Sequence, residues 1–268
     1  MGTMAVTLTL LTALIFLTPA VRLAPLPDER IHVFVPEDDR LALLDRADRL
    51  FDRNDFDTAR RLLERALTEH PGDAEILWRL ANHAINDGDA AENAERQEKL
   101  FRTAVSYAER AVKADARNAM ARAFLAASYG SYAMYAGGEE KVKLANRIRD
   151  ELDATLKMDA DNQVAHTIYG TWHREVAEVS WIERKLANLF LGSMPDGSLD
   201  RSIWHLKKAI EVAPTVLRHR FELGLSYIAA DRDREAAAAF RAALKCPDGW
   251  KIDPIRRPRM RAWLRDNG

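Results

Sequence analysis

The sequence predicts an all-α protein, and three observations support this fold class. The chain has 268 residues, of which 47% are hydrophobic and 30% are charged, so it has enough apolar material for a hydrophobic core. It contains only 12 glycines and 10 prolines, too few for the frequent turns of β-sandwiches and β-barrels. A helical motif also recurs along the chain, and no segment shows the alternating pattern of a strand.

The first 24 residues are predicted to be separate from the helical body. Residues 1–21 contain no charged side chain, and residues 6–17 form an apolar run. Such a run has the length of a signal-peptide core, and it is shorter than the roughly 20 residues of a membrane span. We therefore predict a signal peptide or anchor, with an exported, periplasmic or membrane-anchored protein. A cytoplasmic protein is the alternative, because the basic residues that usually precede a signal core are missing.

The repeated motif predicts the architecture. In the last unit it comprises Gly224, Tyr227, Ala236, Phe240 and Ala243. These intervals match the tetratricopeptide repeat of roughly 34 residues, a helical hairpin in which small residues permit close packing and aromatic residues fill the space beside them. Four earlier units share the pattern of the second helix and the turn after it, at residues 59–71, 104–116, 148–160 and 202–214.

The repeat period is irregular in the middle of the chain. Successive turn positions are 45, 44, 54 and 34 residues apart, so the extra residues of three units lengthen their helices or connections. We therefore predict a right-handed superhelix of about five tetratricopeptide-like hairpins with insertions in the middle repeats. The repeat domain is expected at residues 40–250, after a proline-containing linker at 25–39 and before a basic cap at 251–268.

A block in the fourth unit indicates a family. Residues 169–190 read YGTWHREVAEVSWIERKLANLF, and residues 76–81 read ILWRLA. Both resemble the regulator of microtubule dynamics protein family, over roughly residues 41–247. The resemblance implies helical repeat proteins without enzymatic activity, some held at a membrane, with links to microtubules or to phospholipids. The 30 arginines against 10 lysines fit a GC-rich bacterial genome, so we expect a bacterial member, in which the microtubule link would not apply.

The first helix of each hairpin is expected to line a concave groove. Arg79 and Arg174 are predicted to hold a carboxylate or phosphate there, and Asn82 to pair with an extended peptide backbone. Packing between repeats is the alternative for the aromatic residues, and solvated salt bridges are the alternative for the arginines. The full set of predicted groove residues is Trp78, Arg79, Asn82, Tyr129, Tyr132, Trp172, Arg174 and Glu175.

The inserted segment of the fourth unit is predicted to form an amphipathic helix. Ile182 and Phe190 share its apolar side, and Arg184 and Lys185 lie on the other side. Such a helix can cap the groove or lie on a membrane surface with Trp181 at the interface. Packing within the insertion is the alternative.

The sequence favours a binding protein over an enzyme. It has one cysteine, no H-E-x-x-H spacing and no glycine-rich phosphate loop, so we expect no catalytic residue, metal or cofactor. The formal net charge of −1 gives no reason to expect nucleic acid as a partner. We predict a non-catalytic scaffold that binds a protein or peptide in its groove. The alternative is binding or transfer of a phospholipid or another hydrophobic ligand at a membrane.

Overall fold

The computed structural model describes residues 37–268, apart from the side chains of Glu37, Asp38 and Trp181. The predicted N-terminal segment lies outside this part of the chain, so export and membrane anchoring remain predictions. Every regular element in residues 37–268 is a helix, which confirms the predicted fold class. The helices are α1 Glu37–Asp52, α2 Phe56–Glu69, α3 Ala74–Asp89, α4 Ala94–Ala114, α5 Ala119–Tyr132, α6 Gly138–Met158, α7 Gln163–Ala177, α8 Trp181–Phe190, α9 Leu199–Val212, α10 Leu217–Ala229, α11 Asp233–Ala243 and α12 Asp253–Asn267.

Ten of these helices form five hairpins. Helix α1 packs on α2, α3 on α4, α5 on α6, α7 on α9, and α10 on α11. The first helices of successive hairpins also contact one another, from α3 to α5, α7 and α10. The result is the predicted helical-repeat superhelix, with first helices side by side along one face.

The turns between hairpins determine where the first helices begin. The side chains of Asp73, Asn118 and Asn162 accept hydrogen bonds from backbone N–H groups in the first turns of α3, α5 and α7. These N-caps satisfy donors that have no partner inside the helix. The irregular spacing of the turns is therefore compatible with a regular stack of first helices.

Small residues allow the two helices of a hairpin to approach closely. A β-carbon at Gly224 would overlap the ring of Phe240, and one at Gly170 would overlap the side chain of Leu206. These contacts join α10 to α11 and α7 to α9. Larger side chains at the two glycines would force the helices apart.

The insertions take two structural forms. Helices α4 and α6 have 21 residues each, compared with 14 in α2, so the second and third hairpins have longer second helices. The fourth hairpin instead contains the extra helix α8 and the segment 191–198 between its two helices. None of the helices in the described range is long and apolar enough to cross a membrane.

Helix α12 covers the end of the last hairpin. Its residue Met260 is buried against that hairpin, and the ring of Trp263 lies 5.3 Å from that of Phe240, measured between centroids. At the other end, α1 begins at Glu37, within the segment predicted as a linker. Residues 247–252, which we call the strap, connect the last hairpin to α12 and extend back toward the first two hairpins.

Candidate binding groove

A cavity of ≈ 490 Å³ lies along the face formed by the first helices. Its volume falls within the range of about 300–1,000 Å³ that is common for ligand pockets. All five hairpins contribute to its walls, and so does the strap. The residues that define its chemistry are Asp48, Phe51, Trp78, Arg79, Asn82, His83, Phe124, Arg218 and Trp250.

Aromatic rings form one wall of this groove. Trp78 on α3 stacks on Phe124 on α5, with centroids 5.2 Å apart and planes 6° from parallel. Phe51 on α1 contacts the ring of His83 edge-on at 5.1 Å and the ring of Trp250 at 6.2 Å. The strap residue Trp250 therefore completes an apolar wall that begins on the first three hairpins.

Arg79 lines the groove, but its guanidinium group is already paired within the chain. Nε and Nη2 donate to the two carboxylate oxygens of Asp48 at 2.8 and 2.7 Å, and Nη1 donates to Glu75 at 2.7 Å. Burial alone would lower the pKa of Arg79, yet these hydrogen bonds outweigh it and raise the pKa. The same guanidinium lies over the Trp78 ring. The predicted use of Arg79 as an anion ligand would require it to exchange these partners.

Three polar atoms on α3 are buried without a hydrogen-bond partner among the described residues. They are Oδ1 of Asn82, Nδ1 of His83 and Nδ2 of Asn86. Burial lowers the pKa of His83 to about 4, so its ring is neutral at pH 7. Asn82 and His83 line the cavity, whereas Asn86 lies behind it and is fully buried. Because a buried polar group without a partner costs free energy, the atoms of Asn82 and His83 mark a polar strip beside the aromatic wall.

The strap connects the end of the repeat array to its beginning. The Lys251 ammonium donates to Asp87 at 2.7 Å and to Asp57 at 3.1 Å, and the Lys251 backbone N–H donates to Oδ1 of Asn86 at 2.9 Å. Arg257 donates hydrogen bonds to Asp248 in the strap and to the carbonyl groups of Leu244 and Cys246 just before it. The groove is therefore bounded by the chain's own C-terminal region.

Arg218 is the second arginine of the groove wall, and it differs from Arg79. Its guanidinium lies over the Trp250 ring, 5.0 Å from the centroid. It makes no hydrogen bond or ion pair with any of the described residues, and Nε is shielded from solvent. Burial, and then the charge of Arg256, lower the pKa of Arg218.

Three predicted aromatic groove residues lie away from the cavity, because their rings pack between helices. Tyr129 is 1% exposed and donates its hydroxyl hydrogen to Glu109 at 2.8 Å. The ring of Tyr132 packs against the core and lies under Arg102. Trp172 is buried and donates from Nε1 to the carbonyl of residue 145 at 3.0 Å. These positions match the packing alternative.

Arg174 and Glu175 also lie outside the cavity lining. Arg174 is 6% exposed, and its Nη1 donates to the buried carboxylate of Glu222 at 2.9 Å. Its Nη2 donates to Glu175, which is on the surface. Burial raises the pKa of Glu222, but the charges of Arg174, Arg218 and Arg256 together outweigh that effect and lower it. Arg174 thus joins α7 to α10 by an internal ion pair.

The apolar side of α8 faces solvent. Ile182 is 63% exposed and Phe190 is 73% exposed, whereas Arg184 donates to backbone carbonyls of Val176 and Pro195 at 2.7 Å. Lys185 lies on the exposed surface, and the side chain of Trp181 lies outside the described part of the chain. The packing alternative for this helix is therefore wrong, because its apolar stripe does not join the core. Groove capping and membrane contact remain predictions.

A cluster of three buried histidines, His166, His173 and His205, lies between α7 and α9. Nδ1 of His166 lies 2.9 Å from Nδ1 of His205, and the ring of Tyr169 stacks on both His173 and His205, which also stack on each other. Burial lowers the pKa of His173 to about 4 and that of His205 to about 3. Across residues 37–268 no group of three or more histidine, cysteine or carboxylate side chains is arranged to hold a metal.

The fold and the groove define the class as a tetratricopeptide-like helical-repeat protein. A solved tetratricopeptide-repeat protein of Thermus thermophilus, TTC0263, superposes with a TM-score of 0.59 and 21% identity, covering 84% of this chain and 98% of that one. The family model for regulator of microtubule dynamics protein 1-3 matches residues 43–267, and the chain belongs to this family. The predicted family is therefore confirmed.

Three relatives show the extent of the similarity. Regulator of microtubule dynamics protein 1 of Bos taurus is 24% identical over 197 residues, which are 73% of this chain and 62% of the relative. Protein 3 of Bos taurus is 24% identical over 221 residues, 81% of this chain and 47% of the relative. Protein 1 of Caenorhabditis elegans is 20% identical over 201 residues, 75% and 88% of the two chains. This chain thus spans less than two thirds of either Bos taurus protein.

Sequence reasoning missed three residues of the groove: His83, Arg218 and Trp250. His83 is next to the predicted Asn82, and a one-residue rotation of the assumed helix face would have included it. Arg218 is the second residue of α10, a position expected to face the groove, but nothing in its local sequence distinguished it from a solvated arginine. Trp250 is in the strap, where no repeat periodicity exists to indicate which side it faces.

Proposed function

We propose that this chain is a non-catalytic scaffold that binds a segment of another protein in the groove. The observation that carries the proposal is the pair of unpaired polar atoms on Asn82 and His83 beside the rings of Trp78 and Phe124. A polypeptide offers backbone N–H and C=O groups to the strip and side chains to the aromatic wall. Each polar atom that gains a partner removes a penalty of about 1–3 kcal/mol.

The family and the fold support a partner-binding role of this general kind. Tetratricopeptide-like repeats present an extended concave surface built from successive first helices. Regulation of microtubule dynamics is named for the relatives, which extend beyond the region matched here. We therefore propose for this chain only the binding of a protein or peptide partner.

Binding of a phospholipid or another hydrophobic ligand is the competing function. The aromatic wall would suit an acyl chain, but an acyl chain has no group to pair with Oδ1 of Asn82 or Nδ1 of His83. The unpaired atoms therefore favour a polypeptide. Membrane association through the N-terminal segment or α8 remains a separate prediction.

Selection of displayed random dodecapeptides on the full chain tests the proposal. We expect enriched peptides to bind the wild-type protein, with affinity measured by isothermal titration calorimetry. Asn82→Leu should weaken binding about fivefold, because one hydrogen bond contributes about 1 kcal/mol. Asn267→Leu, on the exposed end of α12, is the matched control and should bind like the wild type.

Two outcomes would contradict this function. One is the absence of enriched peptides under conditions in which circular dichroism shows the folded helical protein. The other is a phospholipid that co-purifies at one molecule per chain, identified by mass spectrometry, and is retained in Asn82→Leu, since an acyl chain makes no hydrogen bond to Asn82.

A further inference from the structure

Arg218 stands out because the neighbouring arginines, Arg174 and Arg256, are paired with carboxylates. In the groove wall Arg79 has Asp48 and Glu75 as partners, whereas Arg218 has neither a hydrogen bond nor an ion pair with the described residues. Its contact with Trp250 leaves the N–H donors of the guanidinium without acceptors. A guanidinium group has five such donors in a geometry that matches a carboxylate.

The nearby carboxylates do not neutralise Arg218. Glu222 is paired with Arg174 at 2.9 Å, and Asp253 is paired with Arg256 at 2.8 Å. Asp89 is the remaining acidic neighbour, and it forms no hydrogen bond or ion pair with Arg218. The positive charge of Arg218 is therefore incompletely compensated in the folded chain.

Two further features of the same cavity favour an anion. Arg218 lies in the first turn of α10, and this turn faces the groove without a side-chain N-cap. Aligned N–H groups at such a helix start add positive potential. His83, which is 2% exposed and has an unpaired Nδ1, also lines the cavity. The groove thus contains polar atoms that the chain itself leaves unsatisfied.

We propose that Arg218 binds a carboxylate carried by the protein segment in the groove, from an acidic side chain or from a C-terminus. This inference rests on the proposed function and identifies the chemistry of the partner. The segment would place its acidic group at the start of α10 and its apolar side chains against Trp78 and Phe124. A bidentate pair would then replace an isolated cation on the Trp250 ring.

The peptides selected on the wild-type chain provide the test. We expect an acidic residue or a required free C-terminus to be enriched among them. Arg218→Met should weaken their binding roughly ten- to hundredfold, the range for loss of a hydrogen bond to a charged group. Arg234→Met, which removes an exposed arginine from α11, is the matched control and should leave affinity unchanged.

A double-mutant cycle shows whether the contact is direct. Replacing the peptide's acidic side chain by its amide, or amidating its C-terminus, should weaken binding to the wild type but not to Arg218→Met. These two arms also distinguish a side-chain carboxylate from a terminal one. The thermal midpoint of Arg218→Met should be equal to that of the wild type or higher, because an uncompensated buried charge is removed. A lowered midpoint with unchanged affinity would mean that Arg218 only supports the fold.

The outcomes separate this inference from the proposed function. In one outcome, the selected peptides bind the wild type, bind Asn82→Leu more weakly and bind Arg218→Met with unchanged affinity. This result would overturn the carboxylate site and leave the proposed function intact. Failure to select any peptide would overturn both. Binding of phosphatidylglycerol vesicles that is lost in Arg218→Met, while peptide affinity stays constant, would assign Arg218 to a lipid headgroup and overturn the inference.

Discussion

Arg79, Arg174 and Arg218 have the same side chain and three different environments. Arg79 pairs with Asp48, which is 31 positions away in sequence, and Arg174 pairs with Glu222, which is 48 positions away. Arg218 has no comparable partner among the described residues. The sequence identified two arginines near the concave face, but only folding determined whether each would be neutralised.

The stability of an Arg174 variant tests whether this arginine is neutralised inside the fold. Replacing Arg174 by Met leaves the Glu222 carboxylate buried without its closest partner, so we expect the free energy of unfolding to fall by about 3 kcal/mol. Denaturant unfolding followed by circular dichroism measures the change. Glu175→Gln, which alters only the exposed partner, should change stability by less than about 0.5 kcal/mol.

The double variant Arg174→Met with Glu222→Leu completes the cycle. It should recover much of the loss, because two apolar side chains can replace a buried ion pair. If Arg174→Met is as stable as the wild type, the ion pair does not stabilise the contact between α7 and α10.

At the scale of elements, local sequence patterns predicted where the helices form, but they did not predict what each helix packs against. Helical spacing and turn residues gave the five hairpins, because small residues and N-caps act within a few positions of each other. The same spacing gave α8 an apolar stripe, but it did not indicate what covers that stripe. In the structure Leu189 is 71% exposed and Phe190 is 73% exposed.

The exposure of α8 has a measurable consequence. Leu189→Ala and Phe190→Ala should each change the free energy of unfolding by less than about 0.5 kcal/mol, since neither side chain joins the core. Leu152→Ala in α6, where the side chain is fully buried, should cost about 2–5 kcal/mol. A loss of that size at Leu189 or Phe190 in chemical denaturation would show that α8 packs inside the fold.

For the whole molecule, the uneven charge of the sequence has a partly internal role. Residues 28–75 contain 14 acidic and 8 basic side chains, and residues 251–268 contain 6 basic and 2 acidic ones. In the structure Lys251 from the basic region contacts Asp57 and Asp87 from the first two hairpins. Part of the charge asymmetry thus holds the strap against the first two hairpins.

Removal of the Lys251 charge should loosen the strap. Lys251→Met should lower the free energy of unfolding by about 1 kcal/mol, the scale of a partly exposed ion pair. It should also speed deuterium uptake in residues 247–253, measured by mass spectrometry. Lys245→Met is the matched control on the surface just before the strap. Unchanged exchange in Lys251→Met would show that the backbone bonds to Asn86 and Asp253 hold the strap without the ammonium group.

The sequence by itself determined the helical class, the five hairpins, the family and part of the groove, including Trp78, Arg79 and Asn82. These features depend on short-range spacing, which is visible in the order of residues. Tertiary structure alone decided that the rings of Tyr129 and Trp172 pack between helices, and that His83, Arg218 and Trp250 belong to one cavity. The physical reason is that burial and charge pairing arise from contacts between distant segments, which helical periodicity does not encode.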